Sequence, residues 1–178
     1  VGNRHWWGES LFGYYRSTDT WVVERDIQML TDAGVDFLAL DYSNATKYPK
    51  QLLVVLKALD KYYQQGFDVP QVTFMTKASS GEIVMHLYET VYLAYPEYSH
   101  LWYCLDGKPL MIGAKNAEEV SDACRAYFSW RFPQWPRENF RNDGFPWMDF
   151  GETQTLYGEG TGTTIMSVSV AQHSGTLA

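Results

Sequence analysis

Cysteine is scarce in this 178-residue chain: Cys104 and Cys124 are the only two. Two thiols build no disulfide framework, and without a C-x-x-C pair or a neighbouring histidine they make a poor metal site. A buried, reduced pair is expected. Positive charge is also in short supply, with 14 Lys+Arg against 21 Asp+Glu and a formal charge of −7. Neutralising a phosphate backbone needs clustered Lys and Arg, so the balance argues against nucleic acid as a partner. No apolar run approaches the roughly 20 residues of a membrane span, and no basic-then-apolar leader opens the sequence. His5, His86, His100 and His173 are scattered, with no H-x-H or H-E-x-x-H, so no metal is expected. A G-x-S-x-G elbow is missing, and neither cysteine stands in an elbow-like context. The first apolar run ends in Asp41-Tyr42-Ser43-Asn44, without the glycines of a phosphate-binding loop. Rossmann and P-loop folds are disfavoured accordingly, and no cofactor is expected.

Aromatics, by contrast, are abundant: 7 Trp, 13 Tyr and 9 Phe make up 16% of the chain. A hydrophobic fraction of 46% supports a sizeable core, and the length suits one domain over 1–178. Amphipathic helices alternate with short apolar runs. Asp19 is placed to cap a helix whose stripe is Val23, Ile27 and Leu30 and whose stop is Gly34. Val35 to Asp41 then reads as a buried strand. Pro49 opens a second helix with Leu52, Leu56, Leu59 and Tyr63 on one face, ended by Gly66. Gln71 to Thr76 is the next strand. Ser79 and Glu82 have capping-box spacing for a third helix that Tyr95-Pro96 closes. Asp106-Gly107 predicts a hairpin between Leu101–Leu105 and Pro109–Gly113. Asn116 is expected to cap a fourth helix through Ala126. Tyr127 to Arg131, Pro146 to Phe150 and Thr164 to Val170 complete the strand candidates. Such alternation means βαβ units and a parallel α/β sheet with right-handed crossovers. It predicts a (β/α)8 barrel that is incomplete, since about six strands are present and whole barrels take about 250 residues. Uncovered edges of such a sheet would drive self-association.

The run Gly13-Tyr14-Tyr15-Arg16-Ser17-Thr18-Asp19, continued by Ile27-Gln28-Met29-Leu30 and Ala33-Gly34-Val35-Asp36-Phe37-Leu38-Ala39-Leu40-Asp41, resembles the early part of glycoside hydrolase family 99 and 71-like barrels. That group includes endo-α-mannosidases, α-1,3-glucanases and relatives from polysaccharide loci. Asp106-Gly107-Lys108-Pro109 is similar to a hairpin common in the group. The resemblance implies a glycoside hydrolase, an oligo- or polysaccharide partner, and a periplasmic or secreted setting. It covers the N-terminal and central part only. The group's late Trp-Asn-Glu-Trp-like motif is absent here, and no glutamate follows Glu159. The group's catalytic acids therefore map onto no residue of this chain.

The residues themselves offer candidates. Asp41 ends a strand, where a barrel presents side chains to its top-face cleft; it binds hydroxyls there, or it caps the next turn through its own backbone. Tyr42 and Asn44 extend the same rim. Asp149 and Glu152 follow a strand end, and with Asp41 they would supply the two carboxyls of glycoside hydrolysis if both strands faced one cleft. Gln172 and His173 can bond a sugar diol and a leaving oxygen, or a neighbouring backbone. Trp6, Trp7, Trp130 and Trp147 lie in loops or near strand ends and suit stacking on sugar C–H faces. Trp135-Pro136 and Pro146-Trp147 equally suit packing over the barrel. Two functions stay open on these residues: carboxylate acid/base hydrolysis of a glycan, or a non-catalytic glycan-binding or structural barrel fragment.

Overall fold

The computed structural model describes residues 10–148 and 154–168. The chain forms two compact units, Val1–Phe37 with Tyr48–Gln71, and Leu38–Lys47 with Val72–Ala178.

The first unit is a helix pair. Helix α1 spans Thr20–Asp32, and Asp19 Oδ1 accepts from the Trp21 and Val22 N–H groups, as an N-cap carboxylate does. Gly34 takes φ +70°, and the Val35 N–H returns to the Leu30 carbonyl, which ends the helix in a left-handed cap. The inward residues are Val22 and Ile27, one position earlier at the start than the stripe expected. Helix α2 spans Pro49–Gln64, with Pro49 at its first turn and Leu52, Leu56, Ala58 and Leu59 buried. Tyr63 is exposed, a correction to the expected inner face. Lys61 Nζ meets Glu24 at 2.7 Å across the pair.

The second unit is built on a sheet. Strands β1 (Phe37–Tyr42), β2 (Gln71–Thr76), β4 (Lys108–Ile112), β5 (Ser129–Gln134) and β6 (Gly144–Pro146) stand in the order β1-β2-β4-β5-β6. They form five parallel strands curled as a half-barrel, which is the α/β fold the alternation predicts. Strand β3 (Cys104–Leu105) pairs antiparallel with β4 through Asp106 and Gly107, whose φ values of +52° and +75° are those of a tight hairpin turn.

Several elements depart from expectation. Helix α3 covers Ser80–Leu87, and Ser79 is left-handed at φ +46° with no side-chain cap, so the Ser79/Glu82 capping box does not form. Ser80 takes over instead: its Oγ pairs with Thr76 Oγ1 at 2.7 Å and accepts the Ala114 N–H at 2.9 Å. One hydroxyl thereby ties the end of β2, the start of α3 and the end of β4. The helix runs on through a π-helical turn, Tyr88–Tyr92, and a 3-10 helix, Pro96–Leu101, takes the first residue of the expected strand Leu101–Leu105, of which Cys104–Leu105 forms β3. Helix α4 is only Asp122–Tyr127, capped by Ser121 rather than Asn116. The final strand is also reassigned. Ile165–Met166 (β8) pairs antiparallel with Leu156–Tyr157 (β7), outside the parallel sheet. Its Gly/Thr-rich approach, with φ near +80° at Gly158, Gly160 and Gly162, makes turns rather than a crossover.

Aromatic residues fill much of the helix-facing side. Tyr92 lies 4.6 Å from Trp102, 4.7 Å from Phe128 and 5.8 Å from Phe74. Cys124 is buried, and burial pushes its thiol up to about 11. Cys104 is exposed on the short hairpin strand, contrary to the buried pair expected.

Candidate functional site

Strand alternation decides which side chains can share a site. A Cβ on Gly113 would approach Val84 Cγ2 to 2.8 Å and Thr76 Oγ1 to 2.9 Å, so Thr76 and Gly113 face α3. Met75 and Ile112, paired in register, therefore turn to the opposite, concave face, where they form a cluster with Leu110. Tyr103, Leu105, Trp135 and Phe145 pack against that cluster. Residues just past the C-terminal ends of β2, β5 and β6 on this face make the rim of the half-barrel.

Lys77 is the centre of that rim. Its ammonium donates to Glu138 Oε1 and to the Pro133 carbonyl at 3.3 Å, and it lies 4.9 Å from the Trp135 ring centroid and 5.4 Å from that of Phe132. Glu138 Oε2 accepts the Trp135 N–H at 3.0 Å. Burial by itself would raise the Glu138 carboxyl, but the Lys77 hydrogen bond, the Trp135 N–H and the Lys77 charge outweigh it and hold the pKa below the ordinary value. Glu138 is thus kept ionised, suited to accepting hydrogen bonds or stabilising positive charge, not to donating a proton.

Trp135 and Trp147 stack at 5.4 Å between centroids with an interplanar angle of 11°. The register explains the pair. Pro133 lies opposite Phe145 and Gln134 opposite Pro146, and one more step brings Trp135 level with Trp147. Trp147 remains 40% exposed.

Asp41 belongs to the same face. The Tyr42 ring is only 4% exposed and meets Phe74 edge-on at 5.2 Å, on the helix-facing side, so its neighbour Asp41 turns the other way. Asp41 is exposed, and its Oδ1 accepts the Ser43 N–H at 2.8 Å. This self-capping turn holds the carboxylate in place at the end of β1. Tyr42, expected on the rim, is a core residue instead because its side chain falls on the other face of the strand. Asn44 Oδ1 accepts the Thr46 N–H at 3.1 Å in the following turn. Ser43 is tied to the rim of β2 through its carbonyl, which accepts the Ala78 N–H at 2.9 Å.

Trp130 faces the helices, and its Nε1–H donates to the Arg125 carbonyl at 3.0 Å. Phe128, 5.8 Å away, packs beside it. Trp6, Trp7, Asp149, Glu152, Gln172 and His173 lie outside the described residues. Of the expected site, then, Asp41 and Trp147 turn to the concave side, Asn44 braces the turn beyond β1, and Tyr42 and Trp130 are committed to packing. Lys77, Trp135 and Glu138 were not foreseen as site residues. Trp135 carried the one available signal, since Trp135-Pro136 and Pro146-Trp147 are two Trp-Pro neighbours at the ends of successive strands.

A second cleft, of ≈170 Å3, opens at the C-terminal end of β4 and is lined by Ala114, Lys115, Arg131, Phe132, Arg141 and Asp143 among others. Arg141 and Asp143 form a bidentate pair at 2.9 and 2.8 Å, and the Arg141 guanidinium lies 4.2 Å from the Phe132 centroid. That hydrogen bond holds the Asp143 carboxyl below its ordinary pKa against the opposing effect of burial, with smaller help from nearby charge. The groove between α1 and α2 is larger, ≈480 Å3, but its single carboxylate, Glu24, is engaged by Lys61 and no aromatic ring lines it. It lacks the parts of a sugar site.

Among the described residues, no cluster of three or more His, Cys, Asp or Glu could hold a metal ion, and no helix is long and apolar enough to cross a membrane. Comparison with family models, with curated proteins and with solved structures finds no match, so the fold and this rim are what the chain offers for a functional reading.

Proposed function

We propose that the half-barrel is the glycan-handling part of a carbohydrate-active enzyme, a glycoside hydrolase related to the family 99 and 71-like barrels. The observation that carries the reading is the stacked Trp135–Trp147 pair beside the Lys77–Glu138 ion pair, at the strand ends where barrels of this kind place their active sites. Sugars present apolar C–H faces bordered by hydroxyls. An exposed indole binds the first, while charged groups fixed at its edge bind the second. The exposed part of Trp147 is the platform, and Glu138 and Asp41 are the carboxylates that read hydroxyls.

In hydrolysis one carboxyl protonates the glycosidic oxygen and a second acts as base or nucleophile, about 5–5.5 Å away in retaining enzymes and about 6.5–9.5 Å away in inverting ones. Glu138, held ionised, fits the second role. Asp149 and Glu152 are the candidates for the acid. Binding and turnover of α-mannan and α-glucan oligosaccharides test the reading together. Cleavage that Glu138→Gln abolishes supports the hydrolase. Binding without cleavage supports the non-catalytic alternative. Absence of both contradicts the glycan reading altogether.

A further inference from the structure

The chain is acidic overall, yet the surroundings of Phe132 are not. Its ring has Lys77 at 5.4 Å and Arg141 at 4.2 Å from the centroid, and Arg131 and Lys115 line the adjoining cleft. Against these four cations the described residues set Glu138, on Lys77, and Asp143, on Arg141. The local balance is two positive charges in surplus within a chain of net −7.

The surplus resides on Lys115 and Arg131. Lys115 is exposed. Arg131 is only 7% exposed, and its Nε–H is buried with no hydrogen-bond partner. Its terminal nitrogen hydrogen-bonds only to neutral groups, Thr161 Oγ1 and the Thr163 carbonyl, each at a long 3.4 Å. Burying a guanidinium without a negative partner is costly, and positive charge set in a cleft with low-dielectric walls raises the local concentration of anions.

We infer that the cleft at the C-terminal end of β4 is a subsite for an acidic sugar, taking a carboxylate or sulfate group on the saccharide. This rests on the glycan reading above and narrows its substrate class. Asp143 is the carboxylate whose charge Arg131 feels, but it is held by Arg141; the oxyanion gives Arg131 and Lys115 a counter-charge of their own, while Phe132, already bearing Arg141, floors the site. Charge-assisted hydrogen bonds to a guanidinium are the stronger kind and are lost by a neutral sugar.

The test compares an oligogalacturonate, a sulfated galactan oligosaccharide and a neutral α-mannan oligosaccharide of equal length, titrated into the full chain at low salt. At least one acidic probe is expected to bind about tenfold or more tightly than the neutral one. Which acidic probe wins distinguishes carboxylate from sulfate. Lys115→Gln, at an exposed position, should cut that preference several-fold without moving the unfolding midpoint, and Arg131→Gln should remove it. Because a buried Arg131 variant can fail to fold, a salt series on the unaltered chain is the second readout: about 0.5 M NaCl should weaken acidic binding and spare neutral binding. Equal affinity for all three probes overturns the acidic subsite and leaves the glycan reading standing. Binding of none overturns both.

Discussion

Two aromatic groups in the same unit are arranged in opposite ways. Around Tyr92, the rings of Trp102, Phe74 and Phe128 meet edge-on or tilted, and all are buried. At the rim, Trp135 and Trp147 lie flat on one another, a cation sits over one of them, and the other is partly open. Edge-to-face contact satisfies ring quadrupoles against each other and leaves nothing for a ligand. The parallel stack has ionic neighbours, Lys77 and Glu138, and a Trp147 that is 40% exposed. The same residue types thus pack in one place and, on the proposed function, bind sugar in the other.

The contrast is sharpest under mutation. Phe74→Ala empties a fully buried site in the first cluster and should destabilise the chain by about 3–5 kcal/mol, read by urea unfolding. A loss under about 1 kcal/mol would mean that this cluster is not the core. Trp147→Ala should do the reverse, with an unfolding midpoint close to that of the parent and glycan affinity lowered about tenfold. If its effect falls on stability with binding untouched, the two groups have the same role and the comparison fails.

Acidity separates them more gently. The Glu138 carboxyl has a folded pKa below its unfolded value, so its contribution is fully present above the unfolded pKa, about 4.3, and is lost as pH falls through the lower folded pKa. Because the pair with Lys77 is partly exposed, the effect on stability should stay below about 1 kcal/mol. Urea midpoints of the parent and Glu138→Gln should converge under acid; a gap that widens as pH falls would contradict the ion pair. The smallest effect concerns the thiols. Alkylation at neutral pH should label Cys104 alone, because Cys124 is buried with its thiol raised to about 11. Equal labelling of both would show that the packing around α4 opens readily.

Local signals in the sequence translated well into structure. The Asp19 cap, Gly34 and Gly66 stops, Pro49 start and Asp106-Gly107 turn each depend on a few consecutive residues, and each is present. The parallel order followed from their alternation. What escaped were features set by distant partners. Ser79 stands at the cap position but is left-handed and makes no side-chain cap, while Ser80 beside it bonds to Thr76 and Ala114. Thr164 to Val170 reads as a barrel strand, yet Ile165–Met166 within it pairs antiparallel with Leu156–Tyr157, a nearby partner in the chain. The position of Asp41 near the end of a strand was legible from the apolar run before it. Tyr42 was misjudged because one residue along a strand reverses the face. The Trp135–Trp147 stack depends on the β5–β6 register, which no short window contains.

Whether the rim is a sugar platform is tested most directly by a backbone and indole NMR titration of the full chain with oligosaccharides. A sugar platform there gives saturable shifts in the Trp135 and Trp147 indole N–H signals and in Lys77, Glu138 and Asp41, with the Trp102 indole unmoved. Shifts confined to other surfaces, or none with any saccharide, would contradict it.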